Sequence, residues 1–426
     1  MRTIFQNCTL LDGTEKMTPR SGTDVAIEND RIAQIGKITP NKGDRVVNLT
    51  GKYLMPGLIN LHVHLPAGGK PRNKPMNTNR LTKIALSSGL SRALVLRMCH
   101  AYAMQGLLSG VTTVRAVGGL DNLDTRLRDQ IHAGKLDGPR ILAANYAIGV
   151  PHGHMVGSVT HPAETVEDAV RMVDQLHGQN VDLIKLMITG GVMDAKLKGE
   201  PGRLMMQADM IKACCDRAHS YGLKVAAHVQ SPEGVRTAVL NGVDSIEHGS
   251  TLSETELAAF HKSGAVLVCT LSPALPMAKF QRETLGITEA VQYNSDLVYN
   301  NMVLGAKAAL ADGVPVGLGT DTGCPYTTHY NMWRELHYFQ KEVGVTPEFA
   351  LYTATLNNAR ILGLWDVTGS VEVGKCADLL IANSDPLVDF RALEQPYMVV
   401  ARGKVYDHPQ IKKYPACDAE LDKYYD

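Results

Sequence analysis

The sequence predicts an α/β protein: a (β/α)8 TIM barrel with a small β-sandwich domain formed from the N- and C-terminal segments. Three observations predict it. Apolar runs of four to eight residues, bounded by Gly or Pro, alternate with helical patterns through the middle of the chain. Such runs read as strands buried on both faces, the form that parallel strands take. Residues suited to metal binding stand at the ends of these runs in one order: His62 and His64 in LINLHVH, Lys185 in VDLIKLM, His228 in KVAAHV, His248 in VDSIEHG and Asp321 in PVGLGTD. In a barrel the C-terminal strand ends meet at one mouth, so residues this far apart in sequence can share a site. Third, both ends of the chain have the punctuated texture of antiparallel strands.

The first of these end segments contains TIFQNCTLL, DVAIENDRIAQIG and DRVVNL, and the last contains GSVEVGKCADLLIANSD and YMVVARGKVYDHP. Residues 1–56 and 369–426 are therefore expected to pair into one composite domain around a barrel of residues 57–368. The closing KKYPACDAELDKYYD reads as a peripheral segment. Within the barrel, strands are expected at 57–63, 111–116, 139–147, 181–188, 223–229, 243–247, 265–271 and 314–320. Residues 65–110 form a long insertion, with KPRNKPMNTNR followed by a helical stretch. Helix signals fall between the strands: Ser231, Pro232 and Gly242 suit an N-cap, first turn and stop, and Ser253 with Glu256 has capping-box spacing.

The 426 residues are 44% hydrophobic and 20% charged, with 43 basic against 43 acidic side chains. That balance leaves no electrostatic footprint for nucleic acid or an anionic membrane. No window approaches 18 uninterrupted apolar residues and no signal-peptide pattern opens the chain, so a cytoplasmic protein is expected. Eight cysteines show no CxxC spacing and are expected to be reduced, with Cys324 just past Asp321 at the mouth.

Each candidate ligand alone has an ordinary reading beside the chemical one. His62 and His64, at i and i+2 on a strand, share a face and can bind one cation, and they equally fit a buried hydrogen-bonded pair. Lys185 in an apolar run is costly as a bare ammonium. It suits either carbamylation by CO2, which turns it into a metal-bridging carboxylate, or snorkelling or pairing with Glu247. His228 and His248 end consecutive strands, each fitting a packed histidine. Asp321, flanked by Gly, fits a ligand and proton acceptor or a turn residue. Together they point to a metal site, and zinc suits mixed nitrogen and oxygen ligation.

Over nearly its whole length the chain resembles the amidohydrolase superfamily, through PGLINLHVH, IKLMITGGV, AAHV, DSIEHGS, GLGTDTG and GSVEVGKCADLLI. Within it the chain looks most like the imidazolonepropionase-related and prolidase-like (Xaa-Pro dipeptidase-like) members. The resemblance implies two divalent metal ions, zinc foremost with Mn, Fe or Co as alternatives. His62, His64 and Asp321 would hold the more buried ion, His228 and His248 the more exposed one, and a carboxylated Lys185 would bridge both. The expected activity is metal-dependent hydrolysis of a C–N bond in a small-molecule amide or dipeptide, or an N-acyl amino acid, by a metal-bridging hydroxide. Asp321 would act as general base and then general acid.

His152 and His154 in VPHGHMVG resemble a His-Gly-His element near the scissile carbonyl of prolidase-like enzymes, and a solvent-exposed loop is the other reading. Arg203, Arg115 and His329 are candidate partners for a substrate carboxylate. Where deaminases of the superfamily show HxxE at the fifth strand, His228 is followed by Val229, Gln230 and Ser231, which favours the binuclear hydrolase. Where prolidase-like members often carry Tyr after this His, Val229 and Gln230 stand instead. Hydrolysis of a cyclic amide, heterocycle deamination and a non-catalytic metal-binding barrel are the alternatives, and a homo-oligomer is left open by the sequence.

Overall fold

A computed structural model of the chain describes residues 2–71, 77–192 and 195–425; residues 72–76 of the KPRNKPMNTNR insertion lie outside the described residues. Eight parallel strands stand where the alternation predicts: Leu58–Val63, Val111–Ala116, Arg140–Ala143, Leu183–Met187, Lys224–Val229, Ser245–His248, Val266–Cys269 and Val316–Leu318. The first three form one sheet and the last five another, which two short strands, Ala147–Gly149 and Thr160–Pro162, extend. Backbone hydrogen bonds also run from Asp321 N to His62 O and from His64 N to Thr322 O, each 2.9 Å, and from Asp182 N to Ala143 O at 2.9 Å. These link the region after the eighth strand to the first, and the third to the fourth.

The third strand is shorter than the expected 139–147 because Asn145 has φ 58°. Its side-chain nitrogen donates to Thr125 Oγ1 at 3.1 Å and Gln179 Oε1 at 2.9 Å, anchoring the chain as it leaves one sheet for the other. The helix signals hold. Ser231 accepts from Gly234 N ahead of Pro232–Leu240, and Ser253 and Glu256 form the capping box of Glu254–Ser263. Each satisfies backbone N–H groups that the first helical turn leaves unpaired.

The two chain ends do pair, Leu379–Ala382 lying antiparallel to Tyr53–Pro56. Their eight strands form a single mixed hydrogen-bonded sheet, so the two layers of the expected sandwich are not separate in the topology. The reason lies in Arg2–Leu10, which shifts register twice and carries Asn7 at φ 59°. Its first half pairs with Arg45–Asn48 and its end with Tyr53–Pro56, around a core of Phe5, Leu10, Val25, Leu54 and Ile381.

The closing segment is docked rather than peripheral. Helix Pro415–Asp422 buries Cys417 and Leu421, Arg334 Nη2 donates to Asp422 at 2.7 Å, and Tyr425 stacks on His337 with ring centroids 4.0 Å apart. Its apolar i, i+4 pair was too short a pattern to read as a core face. The eight cysteines form no disulfide, and seven of them are buried.

Candidate metal centre

Parallel register sets the interior of the site. Lys185 pairs with Ala226, Ala226 with Ser245, and His228 with Glu247, so Lys185, Ala226, His228, Ser245 and Glu247 share one face. His248 follows Glu247 and should point away, since successive strand side chains alternate. It does not, because its backbone turns into the left-handed region at φ 69°, and Asp321 does the same at φ 50°. Such conformations cost about 1–3 kcal/mol for non-glycine residues and gather at functional sites. Lys185 stands in the middle of its strand rather than at its end, fully buried.

The donors converge. Ligand atoms of His62, His248 and Asp321 lie within 4.8 Å of one another. Asp321 Oδ1 is 3.4 Å from His62 Nε2 and 3.1 Å from His64 Nε2. The His228 and His248 rings are 4.7 Å apart, and His154 stacks on His228 at 4.2 Å. Cys324 Sγ lies 3.9 Å from Asp321 Oδ2.

The far nitrogens of three rings are held by the chain. His62 Nδ1 is 2.7 Å from Glu247 Oε2, His64 Nδ1 is 2.7 Å from the Gly118 carbonyl, and His248 Nδ1 is 2.7 Å from Thr270 Oγ1. Such contacts orient a metal-binding imidazole and select its tautomer. Glu247 is in turn gripped by Arg115 Nη2 at 2.7 Å and Ser245 Oγ at 2.8 Å, while Arg115 Nε donates to Leu61 O at 2.7 Å. Two glycines permit the close packing. A Cβ on Gly118, at φ 155°, would stand 2.8 Å from His64 Cε1, and one on Gly319 would stand 2.6 Å from His62 Cβ.

Lys185 Nζ and His228 Nε2 are buried without a hydrogen-bond partner among the described residues. Burial pushes Lys185 down to about 8, against the opposing pull of Glu247 and Asp321. Burial likewise holds His62 and His228 well below the usual histidine value and His248 down at about 4. His64 moves the other way: burial opposes its charge, but the hydrogen bond and charge of Asp321 raise it. Asp321 is held low by the surrounding histidines in spite of its burial. Neutral imidazoles at His62, His228 and His248, an ionised carboxylate and a lysine that loses its proton readily are forms suited to metal binding.

Other expected residues divide. His154 reaches the centre, whereas His152 is exposed on a turn at φ 63°. Arg115 is consumed by Glu247, Ser245 and Leu61 inside the fold, and His329 Nε2 contacts Ala67 O at 2.8 Å while its ring stacks on Tyr102. Arg203 is exposed and does not line the cleft beside the metal centre. Pairing of Lys185 with Glu247 is not observed, because His62 and Arg115 occupy that carboxylate. The support from Glu247, Ser245, Thr270 and Gly118 is new. Only Glu247 carried a signal, an acidic residue in an apolar run directly before His248.

Buried, oriented histidines gather with a carboxylate at the ends of parallel strands, a group that could hold a metal ion. The amidohydrolase family model matches residues 53–406, and the chain belongs to that family, whose hydrolases act on C–N bonds. A solved structure from Bifidobacterium longum, described provisionally as a prolidase, is 36% identical with a TM-score of 0.88, covering 100% of this chain and 99% of that one. A Xaa-Pro dipeptidase with bound methionine in its active site is 27% identical at TM-score 0.83, covering 96% of this chain and 100% of that one. Ochratoxinase from Aspergillus niger is 26% identical over 425 residues, 92% of this chain and 84% of its own. Imidazolonepropionases are also among the relatives. Among the described residues no helix is long and apolar enough to cross a membrane.

Proposed function

We propose that the chain is a binuclear metal-dependent hydrolase that cleaves the C–N bond of a small amide, with dipeptides and N-acyl amino acids foremost. The observation that carries this reading is the pair of unpartnered buried atoms, Lys185 Nζ and His228 Nε2, beside the His62, His248 and Asp321 cluster. A buried polar atom without a partner is costly, about 1–3 kcal/mol; a bound cation removes that cost at His228, and at Lys185 it does so once the amine is a carbamate. In this reading His62, His64 and Asp321 would hold one ion, His228 and His248 would hold the other, and a carbamate on Lys185 would be a ligand to both. Its amine adds to CO2 and loses a proton, a step that its lowered pKa favours. The eight strands close as a barrel over residues 57–368, with 1–56 and 369–426 as the flanking domain. Cysteines that form no disulfide suit a reducing, cytoplasmic setting.

Divalent ions bound there supply Lewis acidity, lowering the pKa of water to about 7 for zinc and polarising a carbonyl. The chain supplies the rest. Asp321 takes the proton of the attacking water and returns it to the leaving nitrogen, ionised at the start because the histidines hold it so. Arg115 and Glu247 keep His62 in one orientation, and His154 stands at the centre where the carbonyl would lie. The test is metal-replete protein screened against dipeptides and N-acyl amino acids, with ninhydrin and ammonia readouts in parallel and elemental analysis of the same sample. Amine release with two metals per chain is expected. Ammonia from a heterocycle or one metal with full activity overturns the reading.

A further inference from the structure

One wall of the cleft beside the metal centre is apolar and comes from the excursion after the seventh strand. Met277 lies on helix Ala274–Lys279, and Val298 and Met302 lie one turn apart on helix Glu289–Ala311. All three are at least nine-tenths buried, yet they line the same cleft as His154, His228, His248 and Asp321. Thioether side chains are flexible and polarisable, so a methionine-lined wall adapts to aliphatic and aryl groups alike. No lysine or arginine lines this cleft among the described residues. A charged group pressed against this wall would lose hydration with nothing to replace it.

Gln230 adds a polar element to the same cleft. It leaves the end of Lys224–Val229, its backbone N donates to Thr189 Oγ1 at 3.1 Å, and its Oε1 is buried without a hydrogen-bond partner among the described residues. A carboxamide oxygen is an acceptor, so the group that satisfies it there is a donor such as an N–H.

From this placement we infer that the Met277, Val298 and Met302 wall is the pocket for an uncharged aliphatic or aryl side chain of the substrate. Gln230 Oε1 accepts a substrate N–H beside it. The inference rests on the amide-hydrolase reading and narrows it to amides of apolar residues. A matched set tests it: N-acetyl amino acids and X-Gly dipeptides with X as Leu, Met, Phe, Gly, Lys and Glu, presenting the side chain on either side of the scissile bond.

The expected kcat/KM for Leu, Met and Phe is at least tenfold above Gly in one of the two series, with Lys and Glu below Gly. Met277→Ala should lower the Met member about fivefold against Gly, and Met277→Glu should raise Lys against Leu. Gln230→Leu should cost about tenfold on N–H substrates and nothing on their N-methylated counterparts. A flat profile, a preference for charged side chains, or equal loss on N-methylated substrates overturns the assignment while the hydrolase reading stands. If no member is cleaved by protein of full metal content, that reading falls instead. Calorimetric binding of the same compounds to the metal-loaded protein then still ranks the side chains, with the same orders supporting or overturning the pocket.

Discussion

Around His62 and around Lys185 the same centre is built in opposite ways. His62, Glu247, Arg115 and Ser245 form a continuous chain of contacts of 2.7–3.0 Å, closed inside the fold. A short distance away Lys185 and His228 each bury a nitrogen with no partner among the described residues. The first corner is set by the chain before any ligand arrives. The second is tolerated at a cost, and a cost of that kind is the mark of a group whose partner comes from outside the chain. Asp321 lies between the two corners, and in the proposed mechanism it is the group that takes and returns the proton.

Asp321→Asn should therefore have the largest effect. The amide fills the same space but cannot accept a proton, so kcat should fall about 10²- to 10⁴-fold with little change in KM. Steady-state kinetics at matched metal content decides it, and a kcat within a few-fold of the parent assigns proton transfer elsewhere, to His154 first.

Exchanging residues at the two corners should move metal-free stability in opposite directions. Glu247→Gln breaks a buried pair with Arg115 and should cost about 3–5 kcal/mol in urea unfolding of the metal-stripped protein. Lys185→Met removes an unsatisfied buried amine and should raise that stability by about 1–3 kcal/mol while abolishing metal retention and turnover. Equal signs for the two variants would dissolve the contrast.

A pH test sharpens the first corner's surroundings. Burial pushes Asp124, packed behind Gly119, up to about 7, with the His64 charge pulling the other way. A carboxyl raised on folding is more protonated in the folded than in the unfolded chain. Its contribution is complete below about pH 4, the ordinary carboxylate value, and is lost as pH rises through 7. Asp124→Asn should flatten the decline in urea midpoint between pH 5 and 8, and an unchanged slope assigns that decline to another group. The smallest effect is expected at His152→Ala. Exposed on its turn, it should leave kcat/KM within about twofold, whereas His154→Ala should lower it at least tenfold.

Much of this was legible in the sequence, because strand ends that carry His, Lys and Asp in order are a local pattern. Strand positions, two helix caps and the ligand candidates follow from runs of a few residues, because periodicity and capping are set by near neighbours in the chain. Three features lay beyond it. His248 faces the centre only because its φ is 69°, which strand alternation alone would have argued against. Arg115 reads as a free cation in the sequence and becomes structural only when the fold brings Glu247, 132 positions later, to within 2.7 Å. The closing helix becomes part of the core through Cys417, Leu421 and Tyr425, contacts that no local window contains. The sequence by itself determined the strand and helix alternation and the residue types available for chemistry, since both depend on neighbours along the chain. Which of those residues became ligand candidates, supports or bystanders was decided by tertiary structure, because burial and partnership depend on groups that are distant in sequence and adjacent only after folding.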